Sequence, residues 1–125
     1  EVIAKAKRIR KILGGSMRQV GVIASCGMYA IKNNIARLQE DHENAKLLAK
    51  GLSEISELEV DYGENQTNML FVNCPKQHRT SLEQYLFDNH IRIASLDRGR
   101  IVCHLGISEK DIKSAIKIFQ QYFMS

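Results

Sequence analysis

Apolar residues recur at three- and four-residue steps through the first half of this chain and then, at Leu58, change to alternation. A change from helical to strand period partway along points to an α+β fold in which helices come first. Val2, Ala6, Ile9 and Leu13 make one stripe of a first helix whose other positions are largely basic, ending at Gly14-Gly15. Val20 to Ile31 is apolar nearly all round, which predicts a helix that is buried or packed against another subunit, ending at Asn33-Asn34. A third helix is expected from about Ile35 to Ile55. Leu38, Ala45, Leu48, Leu52 and Ile55 form its inward stripe, while Gln39, Glu40, Asp41, Glu43 and Lys46 face water, with Glu43 and Lys46 paired.

The second half alternates strands and helices. Leu58, Val60 and Tyr62 alternate with Glu57, Glu59 and Asp61, and Met69 to Val72 is a more buried strand. Gly63 to Thr67 reads as the polar loop between them. Thr80 with Glu83 reads as a capping box opening a helix through Phe87. Further strands are expected at Ile91 to Ala94 and Arg100 to Leu105. Ser108 with Asp111 marks the start of a final helix whose face is Ile112, Ala115, Ile116, Phe119 and Phe123. The order predicts a small antiparallel or mixed sheet covered by helices on one face, preceded by a separate unit of residues 1–34 and comprising residues 35–125.

Composition narrows the class. The 125 residues are enough for one modest core, and 44% hydrophobic with 26% charged residues is ordinary for a globular protein. No apolar run approaches the roughly 20 residues that cross a bilayer, and no signal peptide is visible. Cys26, Cys74 and Cys103 are odd in number and far apart, which fits a reducing cytoplasm and three small core residues. The four histidines are scattered too, and no metal site is read. Glu1 opens directly into a helical pattern without a capping residue, so the chain reads as the later part of something longer.

Two places could carry chemistry. In Arg10-Lys11-Ile12-Leu13-Gly14-Gly15-Ser16-Met17-Arg18-Gln19 a flexible turn has cations on both sides, an arrangement suited to a phosphate or carboxylate. It is neither a P-loop nor a dinucleotide fingerprint. Lys11 and Arg18 serve equally well as solvated cations at helix ends, and the basic cluster of the first helix is open to a nucleic-acid reading. Arg100 begins an apolar strand after Asp97-Arg98-Gly99, and alternation puts Arg100, Val102 and His104 on one face. It is suited to a two-pronged contact with a carboxylate or to pairing with a nearby surface acid; His104 reads as a hydrogen-bonded structural histidine. No nucleophile–base pair or carboxylate pair stands out.

Four stretches resemble one family in the same order: the Gly14-Gly15-Ser16-Met17-Arg18-Gln19 turn with its apolar helix to Tyr29-Ala30, then Asn34 to Ala45, Thr67 to Val72, and Arg100 to Leu105. Together they resemble the low-specificity L-threonine aldolases, with Ser16 where that family usually has a third glycine. The resemblance implies an oligomeric, pyridoxal-phosphate-dependent lyase of the aspartate-aminotransferase fold. Such an enzyme cleaves a small β-hydroxy amino acid, L-threonine or L-allo-threonine, to glycine and acetaldehyde. It also implies that this chain is the C-terminal part: interdomain helices followed by the small domain. The lysine that anchors the cofactor then falls before Glu1, so no catalytic residue is assigned here and the chain alone is inactive. By the same comparison Arg100 holds the substrate carboxylate, and Lys11 and Arg18 lie at the cofactor site. Nucleic acid and membrane are not implied partners. A related enzyme of the same fold acting on a different β-hydroxy amino acid, a basic nucleic-acid-binding module and a non-catalytic assembly domain are the alternatives.

Overall fold

The computed structural model describes residues 1–63 and 66–124, so the expected loop at 63–67 falls partly outside the described residues. It separates into two compact units, Glu1–Ala36 and the remainder from Arg37 onward.

The first unit is a pair of helices, α1 (Val2–Ile12) and α2 (Gly21–Asn33). Helix α1 ends where the sequence requires it. Gly14 sits at φ 80°, its N–H bonds the Lys11 carbonyl (3.2 Å), and the Gly15 N–H bonds the Arg10 carbonyl (2.8 Å). This is the double hydrogen bond of a Schellman stop, which favours glycine at the left-handed residue. Gly15 is constrained as well, because a side-chain carbon there would lie 2.6 Å from Arg10 Cγ and 2.9 Å from its carbonyl oxygen. Every residue from 1 to 29 is exposed. The apolar surface of α2 is therefore open, and Cys26 is exposed, contrary to the expectation of a core thiol. It lies on a helix without a single buried residue, and its thiol donates to the Val22 carbonyl at 3.4 Å.

The second unit is α+β. Helix α3 (Leu38–Ser53) leads into strand β1 (Glu59–Asp61) and strand β2 (Met69–Asn73); α4 (Lys76–Asp88), β3 (Gly99–Val102) and α5 (Glu109–Met124) complete it. The strands form one antiparallel sheet in the order β1-β2-β3, with Val60 opposite Val72 and Leu70 opposite Ile101. Leu70 and Val72 point into a core completed by Ala45, Leu48 and Leu52 of α3, Leu82 and Leu86 of α4, and Ile112 and Phe119 of α5. Gly51 lies in this packing. A methyl group there would come within 2.6 Å of Ile116, so glycine lets α3 and α5 approach closely. No helix among the described residues is long and apolar enough to cross a membrane.

Four local expectations are corrected. Ile91 to Ala94 is not a strand: Ile91 and Ile93 are half-buried against the core, but their backbone joins no ladder, and the Ile91 N–H bonds the Leu86 carbonyl at 2.8 Å. Helix α4 begins at Lys76 rather than Thr80, because Pro75 at ψ 140° supplies the N-terminal break. Glu83 is then no capping partner, and its Oε1 accepts instead from the Leu96 N–H at 3.2 Å. Asp41 is buried rather than wet, since Arg37 one turn earlier holds both its oxygens, at 3.0 and 2.6 Å. Lastly, Glu43 accepts from Gln39 at 3.0 Å, and no Glu43–Lys46 ion pair occurs among the described residues. The Ser108–Asp111 box forms as expected, the Ser108 N–H donating to Asp111 Oδ2 at 2.9 Å and the Asp111 N–H to Ser108 Oγ at 3.3 Å.

Candidate functional site

Arg100 lies on β3, directly opposite Phe71 of β2, which is itself opposite Asp61 of β1. Partners in an antiparallel ladder share a face, so all three side chains lie on the sheet surface away from the buried Leu70 and Val72. Arg100 is exposed, and its guanidinium makes no hydrogen bond or ion pair with an acid among the described residues. It borders a cleft of about 390 Å³ at the β3 edge, lined also by Arg92, Ile93 and Ile101. A second hollow, of about 380 Å³, lies on the open face among Asp61, Phe71 and Arg98.

The backbone carrying Arg100 is fixed at both ends. On the N-terminal side, Arg98 takes φ 49°, and Gly99 is buried so close to the Ser95 carbonyl that any side chain would collide with it. Glycine is thus obligatory immediately before the arginine. On the C-terminal side, Asn68 spans the ladder. Its Nδ2 donates to the Cys103 carbonyl at 2.8 Å, and its own carbonyl accepts from the Cys103 N–H at 2.8 Å. Sequence reasoning gave Asn68 no role of its own, because its partner is 35 residues away. His104 is exposed, with Nδ1 accepting the Gly106 N–H at 3.2 Å, a structural contact in a turn.

Burial pushes the Cys103 thiol up to about 11, with Asp41 adding to the effect, and raises the Cys74 thiol as well. Both are buried, protonated and unsuited to nucleophilic chemistry.

Lys11 and Arg18 belong to the first unit and flank the Schellman turn. Neither side chain makes a hydrogen bond or ion pair with a described residue, and both are exposed. Two uncommitted cations beside a glycine turn and the Ser16 hydroxyl are a donor set that fits a phosphate dianion. The structure describes this cation set and Arg100 in separate units.

Comparison with known proteins agrees with the four ordered motifs. Residues 1–75 match the beta-eliminating lyase family. Over 112 residues the chain is 41% identical to the low specificity L-threonine aldolase of Escherichia coli O157:H7, a match covering 90% of this chain and 33% of that protein. Over 128 residues it is 37% identical to low-specificity L-threonine aldolase 1 of Arabidopsis thaliana, covering 98% of this chain and 36% of that one. The chain spans about a third of the length of these relatives.

Proposed function

The chain belongs to the beta-eliminating lyase family, and from that premise we propose that it supplies the substrate-carboxylate and cofactor-phosphate contacts of a pyridoxal-phosphate-dependent threonine aldolase. The observation that carries this reading is Arg100: an exposed guanidinium without a partner among the described residues, on a strand whose backbone is held at both ends. An arginine so placed offers two parallel N–H donors to an amino-acid carboxylate and fixes its orientation. Lys11 and Arg18 hold the cofactor phosphate.

Pyridoxal phosphate, when bound, supplies the electron sink for cleaving the Cα–Cβ bond of a β-hydroxy amino acid, giving glycine and acetaldehyde from threonine. The contribution of this chain is positional. Arg100 fixes the carboxylate, so the angle of the scissile bond to the cofactor is set by β3 rather than by free rotation. Proton transfer from the substrate hydroxyl and the covalent anchoring of the cofactor are assigned to no residue of the 125, so turnover by this chain alone is not expected.

Aldehyde release by the full-length protein from threonine, allo-threonine, serine and phenylserine tests the assignment. Cleavage of threonine or allo-threonine, dependent on pyridoxal phosphate, is the expected result. Release from phenylserine or serine alone would move the protein to a different β-hydroxy amino acid, and no release from any of them would refute the reading.

A further inference from the structure

The segment before Arg100 is held by a side chain that takes no part in the proposed chemistry. Arg79, in the first turns of α4, donates from Nε to the Cys74 carbonyl at 2.8 Å and from Nη2 to Asn73 Oδ1 at 3.2 Å, and Nη2 also pairs with Asp97 Oδ1 at 2.8 Å. One guanidinium thus joins the end of β2, the start of α4 and the loop that leads into β3. The same Asn73 Oδ1 receives the Arg98 N–H at 3.4 Å, and the Cys74 N–H bonds the Leu96 carbonyl at 2.9 Å. Asp97 is three residues before Arg100; between them Arg98 is left-handed and Gly99 is packed against the Ser95 carbonyl.

We propose that Arg79 is a positioning residue for substrate recognition: by tying Asp97 to the end of β2 it sets the direction in which β3 presents the Arg100 guanidinium to a carboxylate. The inference rests on the assignment of Arg100 to the substrate carboxylate. Its physical basis is a difference in burial. Leu96 is fully buried and anchors the loop to the core whether or not Arg79 is present, whereas the Asp97 side chain is 65% exposed. An ion pair with one exposed partner adds little to global stability, so its effect lies in the orientation of β3 and of the arginine that β3 carries. A small misplacement of a binding group weakens the contact without unfolding the protein.

The test uses the full-length protein with Arg79→Met, Asp97→Asn, Arg100→Gln and the double variant R79M/R100Q. Steady-state cleavage of threonine is measured alongside inhibition by glycine, which carries a carboxylate, and by methylamine, which does not. Arg79→Met is expected to raise KM for threonine and Ki for glycine about tenfold, with kcat within about twofold and methylamine inhibition unchanged; losing its bonds to the Cys74 carbonyl and Asn73 also lowers the melting temperature, which Asp97→Asn leaves unchanged. Asp97→Asn gives a smaller change in the same direction and serves if Arg79→Met does not fold. On the Arg100→Gln background, Arg79→Met adds nothing further. If Arg100→Gln weakens glycine binding while Arg79→Met and Asp97→Asn leave it at the wild-type value, Arg79 has no positioning role. Equal losses for glycine and methylamine would likewise overturn it, since a general loosening of the fold affects both. If Arg100→Gln itself leaves glycine inhibition unchanged, the carboxylate assignment fails and the Arg79 inference fails with it.

Discussion

Asn68 and Cys103 are joined twice across the sheet, once through the Asn68 side-chain amide and once through its carbonyl, each at 2.8 Å. The pairing closes the ladder just beyond Val102, where β3 would otherwise fray next to Arg100.

Asn68→Ala removes the side-chain bond and keeps the backbone one. Loss of one partly buried hydrogen bond costs about 1–2 kcal/mol, to be read from urea unfolding with the slope unchanged. The same variant raises KM for threonine in the full-length protein, because the far end of β3 is freed. Wild-type values for both would show that the Asn68 amide is idle.

Gly51→Ala tests the α3–α5 contact. The added methyl falls 2.6–2.8 Å from Ile116 carbons, and overpacking of this kind costs about 1–3 kcal/mol, more than the helix-propensity gain of alanine over glycine. A lower melting temperature is expected. Shortening the neighbour in the double variant G51A/I116V should recover part of the loss, and a more stable Gly51→Ala protein would mean that the two helices do not meet as described.

The cysteines differ in burial: Cys26 is exposed, while Cys74 and Cys103 are buried. The folded-state Cys103 value lies above its ordinary one, about 11 against 9.0, and Cys74 shifts the same way. The folded state therefore favours the protonated thiol. The associated stability is fully present below the ordinary thiol value and is lost as pH rises from about 9 to about 11. Iodoacetamide at about pH 8, just below the ordinary thiol range, should label exposed Cys26 and spare Cys74 and Cys103 until the protein unfolds. Equal labelling of all three in the native state would contradict their burial.

How much of this could be read from the sequence depended on the range of the interaction. The Ser108–Asp111 cap and the Gly14 stop are local, and both formed where residue type and spacing placed them. Thr80 and Glu83 have the same capping spacing, yet Glu83 serves Leu96, 13 residues away, and Pro75 had already started the helix. Ile91 to Ala94 has the composition of a strand, but its apolar side chains reach the core without a ladder. Asp41 reads as wet on any helical wheel until Arg37 covers it. For the candidate site, the residue types at Lys11, Arg18 and Arg100 were legible. The contacts that flank Arg100 were not, because Asn68 and Asn73 meet partners 35 and 25 residues away, and Arg79 of α4 meets Asp97 of the loop before β3 only once the chain has folded.

Binding of the substrate carboxylate by Arg100 is tested by kcat/KM for L-threonine in the full-length protein before and after Arg100→Gln. Loss of a charge-assisted, two-pronged contact predicts a fall on the order of 10- to 100-fold, carried mainly by KM, with Arg100→Lys intermediate. An unchanged kcat/KM in Arg100→Gln would contradict that binding.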